Sequence, residues 1–468
     1  MRGKANIFWL TLAALLGMPL GLRSQPGSLD LSFNPNLNDG AAVYALALQP
    51  DGKILIGGSF YFIDDQLVIN VARLNPDGSL DSTFVPGSAA DSGYVSAIAV
   101  QNDGKVLIGG SFYSSRGVTP NNLARLNSDG TVATDFHTNS NLTVDGPVNA
   151  IVVQSDGKIL LGGSFGVVDL PRKDIARLNP DGTLDTNFDA CVSAGAGSGA
   201  TALAVLNSGK ILASGDFGFS LGGLRRGGIA RLNPNGNLDT SYAGVQPGIL
   251  PTGSTPYTLA VHSNGTALLG GDFRMYRTVS CPGIAQFTIG GEVDTTFTPG
   301  TGIDEGTTVY AMALQPDEKI LLGGNFSSYN GTTKYGVARI NANGALDAAF
   351  DPGSGPSYSI SSFAIQKDER ILVAGKFAVF NGQPRKGLAR LNGDHLPFHL
   401  GPPVPSGNGQ FQLMFYADTP ANYALEVSSN LLTWASVTNF TSTSPATALV
   451  DSTPNSGSKR FYRAVSAP

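Results

Sequence analysis

The chain has 468 residues and a formal net charge of −5, and only 14% of its residues are charged, well below the roughly 25% of an average soluble protein. The acidic balance argues against nucleic acid and anionic membrane surfaces as partners. Sixty glycines point instead to many short strands that need turns and close sheet contacts.

At the N-terminus, Arg2 and Lys4 precede an apolar run from Ile7 to Leu22. That run is too short and too poorly flanked for a membrane span, so residues 1–24 read as a secretory signal cleaved near Ser24. The mature chain is then expected to be secreted or held at the cell surface, with no transmembrane segment. Removing residues 1–24 deletes Arg2, Lys4 and Arg23 and no acid, which takes the net charge from −5 to −8.

From residue 25 to 397 one phrase returns seven times, first as VYALALQPDGKILIGGSF over Val43–Phe60 and then as VARLNPDGSLDSTF over Val71–Phe84. The closing phenylalanine of its first half recurs at Phe60, Phe112, Phe165, Phe217, Phe273, Phe326 and Phe377. A period of that length predicts a propeller or a solenoid. Each repeat reads as four antiparallel strands: a small apolar strand, a turn of PDG type, the KILIGGSF strand, the ARLN strand, an NPDG turn and the SLDSTF strand.

The ends decide between the two architectures. Six repeats close on an aromatic residue, at Phe84, Phe136, Phe188, Tyr242, Phe297 and Phe350, whereas the seventh runs into GDHLPFHL with Pro397 where the last strand should be. The missing phrase stands at the other end of the chain as GSLDLSF, Gly27–Phe33. The prediction is an all-β, seven-bladed β-propeller closed by the N-terminal strand, with Asp30 opposite Arg390; an open solenoid would need two caps instead.

Residues 398–409, with GPPVPSGNG, read as a linker. Residues 410–468 then read as a small β-sandwich-like domain with strands FQLMFYA, NYALEVS, LTWASVTNF, TALVD and RFYRAV, and with Trp434 as its core residue.

The DGKILIGGSF and ARLNPDGSLD phrases resemble those of the bacterial delta-60 repeat family from about Gly27 to Asn392. The resemblance implies a β-propeller in secreted or surface-attached bacterial proteins, and brings no established activity or catalytic residues. The phrases SSNLLTW and RFYRAV look like C-terminal modules of other secreted bacterial proteins. Departures are local: IAQFTIGGEVD in the fifth repeat, and DEK and DER in the sixth and seventh, where Glu318 and Glu369 should resist a left-handed turn.

The NPDGSLD phrase resembles a calcium hairpin, but its first ligand position holds Arg73, a cation. An internal guanidinium is therefore expected to replace a bound ion. With a three-residue loop, Arg73 faces Asp81, Arg177 faces Asp185, Arg231 faces Asp239 and Arg339 faces Asp347, each read as an exposed cross-strand pair. Arg125 opposite Ala133 and Gln286 opposite Asp294 break the rule. His137, His262, His395 and His399 share no metal spacing; no metal and no cofactor are expected. Cys191 and Cys281 read as separate thiols.

No acid, base or nucleophilic cysteine recurs on the innermost strands, and the Gln49, Gln101, Gln154, Gln315 and Gln366 series at their ends reads as satisfying backbone at the channel mouth. Loop-length variation is collected on one face. That face should carry Arg172, Arg226, Lys334 and Arg385 as basic positions, with Tyr276, Tyr329 and Phe380 as exposed aromatics. Asp91, Asp145, Asp304 and Glu305 are expected to neutralise the cations. The expected function is a noncatalytic, monomeric binding or display scaffold for an extracellular glycan or protein on that face. The alternatives are a polysaccharide-active enzyme using the same face, or a structural adhesion or surface-layer component.

Overall fold

The computed structural model describes residues 25–113, 121–136, 144–167, 172–190, 192–193, 199–216, 218–219, 228–242, 254–276, 278–394, 399–400, 403–407, 410–416, 421–429, 433–442, 446–451 and 460–466. The signal peptide expected over residues 1–24 lies outside them. Two compact units appear, with Pro26–Pro397 in one and Phe398–Pro468 in the other.

The larger unit is a seven-bladed β-propeller. In the first blade the inner strand Ala42–Leu48 pairs with the middle strand Ile54–Ser59, which pairs with the outer strand Val71–Leu74, all antiparallel. Six further sheets repeat that order, the last with Ile360–Ile365, Ile371–Gly375 and Leu388–Leu391. The middle strand reads as an unbroken apolar run because neighbouring sheets cover both its faces; Ile54, Leu55 and Ile56 are fully buried.

The core is shared between blades. One apolar cluster fills each gap: Leu55 and Val71 of the first blade meet Val95 and Ile108 of the second, and so on around the ring. The seventh cluster joins Val43 and Ile56 of the first blade to Leu372, Ala374 and Leu388 of the last. A ring closed in this way has no exposed terminal sheet face to cap.

Closure is completed by the N-terminal segment. Leu29 bridges Leu391, Asp30 N–H donates to the Arg390 carbonyl at 2.8 Å, and Asn392 N–H donates to the Ser28 carbonyl at 2.9 Å. Phe33 is fully buried beneath Arg390, whose guanidinium lies 4.5 Å from the ring centroid.

The expected fourth strand is mostly a turn. In the first blade its only ladder contact is the Leu74–Leu80 bridge. The Asp81 side chain then accepts from Thr83 N–H at 3.0 Å and from the Thr83 hydroxyl at 2.6 Å, which pulls the chain off the ladder. Extra two-stranded hairpins, such as Phe62–Ile63 with Gln66–Leu67, extend the loop after the middle strand.

Glu318 and Glu369 do adopt the left-handed conformation, at φ 65° and 62°. The turn is fixed by the hydrogen bonds Gln315 N–H to Lys319 O and Gln366 N–H to Arg370 O, and the chain accepts the strain.

The smaller unit packs two sheets. One contains Gln410–Tyr416 and Ala446–Asp451, the other Ala421–Ser428, Ala435–Ser442 and Phe461–Ser466. Leu413, Phe415, Tyr423, Leu425 and Leu449 form its core. Trp434 is only half-buried, its ring covered by Arg463 at 4.3 Å, so it is not the core residue. The proline-rich segment is not a free linker either, since Val404–Gly407 pairs with Gln410–Tyr416.

Candidate functional site

Two features repeat around the ring, and they lie at opposite ends of the blades. On the tight-turn side every repeat but the fifth builds a buried arginine. Arg73 Nε donates to Asp81 Oδ2 at 2.6 Å, Lys53 Nζ reaches the same oxygen at 2.8 Å, and the guanidinium stands 4.8 Å from the Phe84 ring centroid. Arg73 Nη1 then donates to the Ser128 carbonyl of the next blade at 2.6 Å.

Arg177 bonds Asp185 at 2.9 Å and Pro234 O at 2.6 Å; Arg231 bonds Asp239 at 2.7 Å and Ile289 O at 2.6 Å. Arg390 closes the circle through Asp30 at 2.8 Å and the Pro76 carbonyl at 2.6 Å. Arg339 bonds Asp347 and meets Asp394 through two hydrogen bonds of 2.7 Å, because the last blade has no NPDG loop to offer a carbonyl. Arg125, opposite Ala133, pairs with Asp135 at 3.0 Å and Pro180 O at 2.7 Å.

The four cross-strand pairs expected to be exposed are buried instead, Arg73 at 7% and Arg339 at 0% accessible, whereas Asp135, the partner of Arg125, stays exposed. Burial pushes the Asp81 carboxyl upward, but Lys53, Thr83 and Arg73 outweigh it and hold the group well below its ordinary range. The arginine thus ties blade to blade. In the fifth blade Gln286 replaces it, bonding Asp294 at 3.1 Å.

The glutamine series on the same side does not satisfy backbone. The side-chain oxygens of Gln49, Gln101, Gln154 and Gln366 are buried without a hydrogen-bond partner, while Gln315 accepts from Arg339 at 3.1 Å. His262 of the fifth blade contacts Glu318 of the sixth, so two departures from the repeat meet there. Among the described residues no cluster of three or more His, Cys, Asp or Glu is placed to hold a metal. Cys281 is a buried thiol, pushed up to about 12 by desolvation; Cys191, like Arg226, lies outside the described residues.

On the long-loop side several expected site residues are occupied by packing. Tyr276, Tyr329 and Phe380 are 1%, 0% and 0% accessible. They sit in the short hairpins and fold back as core, Tyr329 donating its hydroxyl to Gly344 O at 2.7 Å. Arg385 is 5% accessible and donates to Pro384 O and Leu31 O, so it is not solvent-facing. Lys334 donates to Phe350 O at 3.0 Å, and Asp304 is engaged by Ser327 and Ser328, so for these two residues backbone and hydroxyl contacts stand where an acid–cation contact was expected. Arg172 opens an outer strand. The exposed aromatics of this unit are others, among them Tyr94, Tyr257, Tyr335 and Tyr358.

The second repeated feature is a β-bulge in every inner strand. In the first blade Val43 faces Gly58 and Ala45 faces Gly57, leaving Tyr44 as the extra residue. The same shift leaves out Ser96, Asn149, Thr201, Tyr257, Tyr310 and Ser361 in the other six. Glycine opposite the bulge makes this possible: a Cβ on Gly58 would lie 2.0 Å from the Ala42 carbonyl oxygen, and on Gly324 2.0 Å from that of Thr308. All seven bulged side chains line one central cavity of about 290 Å³.

Each is polar and neutral, and none is fully buried. Ser96 donates to Val148 O at 3.1 Å and Thr201 to Pro256 O at 2.6 Å, fixing both hydroxyls across blade boundaries. Tyr44 meets Tyr94 edge-on at 5.6 Å, and Tyr257 meets Tyr310 at 5.2 Å. Burial first, then the neighbouring Tyr94 ring, raises the Tyr44 phenol; burial, Asp272 and Tyr310 raise that of Tyr257. Both phenols stay protonated donors at neutral pH. The sequence did carry a signal for this ring, the second letter of VYALAL, VSAIAV and VNAIVV opposite a Gly-Gly pair.

A closed ring of seven sheets with one polar bulge per blade defines a β-propeller with a lined central channel. The chain belongs to the DUF5122 beta-propeller family, described as a domain of unknown function, which matches residues 49–84, 101–136, 154–188, 206–242, 262–297, 315–350 and 366–394. No curated protein matches the sequence.

Among solved structures, the extracellular domain of a proposed one-component system from B. thetaiotaomicron is 13% identical over 84% of this chain and 46% of its own, at a TM-score of 0.45. The chain thus spans about half the length of that structure. The periplasmic gluconolactonase PpgL of Pseudomonas aeruginosa is 12% identical over 87% of this chain and 88% of its own, at 0.31. YCF48 from Cyanidioschyzon merolae is 12% identical over 76% and 96%, at 0.35. None of the three is similar enough to carry an argument about what this chain does.

Proposed function

We propose that the protein is an extracytoplasmic, noncatalytic binding scaffold whose ligand, a glycan or a protein, engages the long-loop face at the mouth of the central channel. The observation that carries this reading is the sevenfold bulge. A bulge costs ladder hydrogen bonds and here excludes a side chain from the opposing glycine, yet all seven blades keep it. What it yields is one re-aimed polar side chain per blade, converging on a single cavity. The delta-60 resemblance of the repeats, with its secreted or surface-attached setting, accords with this role.

Binding of the mature chain to a glycan array, run beside a product-release assay on a polysaccharide panel, tests the proposal. Retention without cleavage is expected, and it should be lost in Tyr94→Ala and Tyr257→Ala, whose rings are partly exposed and whose removal should leave the fold intact. Retention unaffected by both variants moves the site elsewhere. Product release replaces the scaffold with the polysaccharide-active enzyme.

A further inference from the structure

We infer that the channel mouth takes the non-ionic end of a saccharide chain, entering along the propeller axis with its last sugar ring held by the bulged residues. This deepens, and rests on, the reading of the long-loop face as the binding face. Charge, hydrogen bonding and size each point to that ligand.

Charge comes first. No Asp, Glu, Lys or Arg lines the cavity among the described residues. A uronate or an acidic peptide would give up its hydration there without a counter-charge, which is heavily unfavourable. The nearby acid acts in the same direction, since Asp272 is close enough to Tyr257 to raise its phenol. Asp272 is itself raised by burial while accepting from Thr255 N–H.

Hydrogen bonding excludes the opposite extreme. The Tyr44 and Tyr310 hydroxyls, the Asn149 amide and the Ser361 hydroxyl make no side-chain hydrogen bond to the described residues, although all four face the cavity. A wholly apolar ligand would displace water from these groups and leave them unpaired. The lining alternates such groups with Ala45, Ala97, Ala311 and aromatic edges. It therefore asks for a ligand with polar groups around its rim and C–H surface between them.

A pyranose ring carries hydroxyls in every direction around its edge and C–H groups on its faces. A seven-blade ring offers partners from every direction around one axis. An extended peptide presents its hydrogen bonds along two opposite edges and leaves most of such a ring unmatched. Size agrees: about 290 Å³ is at the lower end of small-molecule sites, roughly 300–1,000 Å³, enough for one sugar residue with the rest of the chain outside.

The test is calorimetric titration of the full chain with neutral tetrasaccharides (cello-, malto-, xylo- and laminari-) and with tetragalacturonate and a neutral Gly-Ser peptide as comparators. At least one neutral tetrasaccharide should bind at one site per chain. Tyr44→Phe combined with Tyr310→Phe, which deletes only two hydroxyls, and Tyr257→Ala should each weaken it about tenfold or more with the melting temperature preserved. Tetragalacturonate should neither bind nor compete.

Galacturonate or peptide binding that Tyr257→Ala abolishes would overturn the saccharide class while leaving the binding face in place. Neutral-sugar binding indifferent to all three ring substitutions but lost in Trp434→Ala would overturn the binding face itself. No binding by any neutral tetrasaccharide would overturn the inference.

Discussion

Asp30 and Arg390 stand 360 positions apart and share one hydrogen-bonded ion pair of 2.8 Å. Around it the N-terminal segment supplies to the last blade what each of the other arginine-bearing blades supplies to itself: the acid for the arginine, and in Phe33 the ring beneath it. The Asp30 carboxyl is raised by burial but held low overall by Ser32 and Arg390.

Deleting residues 25–34 should therefore open the ring at one defined blade. Phe33→Ala alone should cost about 3–5 kcal/mol, and the deletion should lower the melting temperature by about 5–10 °C. Hydrogen exchange should show the loss concentrated at Leu388–Leu391 and the first blade. A melting curve unchanged by the deletion would refute closure by this segment.

The fifth blade provides an internal control for the arginine tie. Arg177→Ala removes one member of a buried pair, a carbonyl contact to the next blade and a ring contact, and should cost about 3 kcal/mol. Gln286→Ala removes one hydrogen bond from a neutral amide to the Asp294 carboxylate and should cost about 1.5 kcal/mol. Urea titrations of the two variants compare them directly, and equal costs would mean that the guanidinium adds nothing beyond a hydrogen bond.

The architecture was legible because it rests on spacing. Period, turn chemistry and the displaced GSLDLSF phrase lead to seven blades and to the Asp30–Arg390 register without any three-dimensional information. The site was not, for two physical reasons. Tyr276, Tyr329 and Phe380 stand in short hairpins beside polar residues, but which face of a two-residue strand points inward depends on the neighbouring blade, so these residues read as exposed and are core. The bulge shifts register by one residue, and a one-residue slip moves a side chain to the other face; a strict alternation therefore hides Tyr44 and its equivalents. The burial of the arginine pairs is hidden in the same way, since their covering carbonyls come from a loop in the next repeat, 55 residues on for Arg73.

Calcium removal should leave the protein unaffected. The first ligand position of the NPDGSLD hairpin is filled by Arg73 and its equivalents, and the Asp77 carboxylate is already engaged by Ser79 N–H and hydroxyl at 2.9 and 2.7 Å. EDTA should not shift the melting temperature, and added calcium should not raise it. A calcium-dependent rise of several degrees would mean that these hairpins bind the ion despite the guanidinium.

Asp174 should make stability depend on pH in an unusual direction. Its equivalents in the first two blades are asparagines in the same left-handed conformation, φ 61° for both Asn70 and Asp174. Asn70 accepts from Phe60 N–H at 3.1 Å and donates its amide to Ala90 O and Gly93 O of the next blade at 2.8 and 3.2 Å. Asn122 does the same with Phe112 N–H and Val144 O. Asp174 keeps the acceptor half, toward Phe165, but has no amide to donate, and burial pushes its carboxyl up to about 6. Because the folded value lies above the unfolded one near 3.8, the native state holds the proton more tightly. Its contribution is therefore fully present below about pH 4 and is lost as pH rises through about 6. Asp174→Asn restores the donor without a charge. With allowance for partial solvent access, it should stabilise the protein by about 1–2 kcal/mol at pH 8 and leave it nearly unchanged at pH 4. Urea midpoints of the two proteins at pH 4, 6 and 8 measure the difference; a gain of equal size at all three would show that the carboxyl is not the cause.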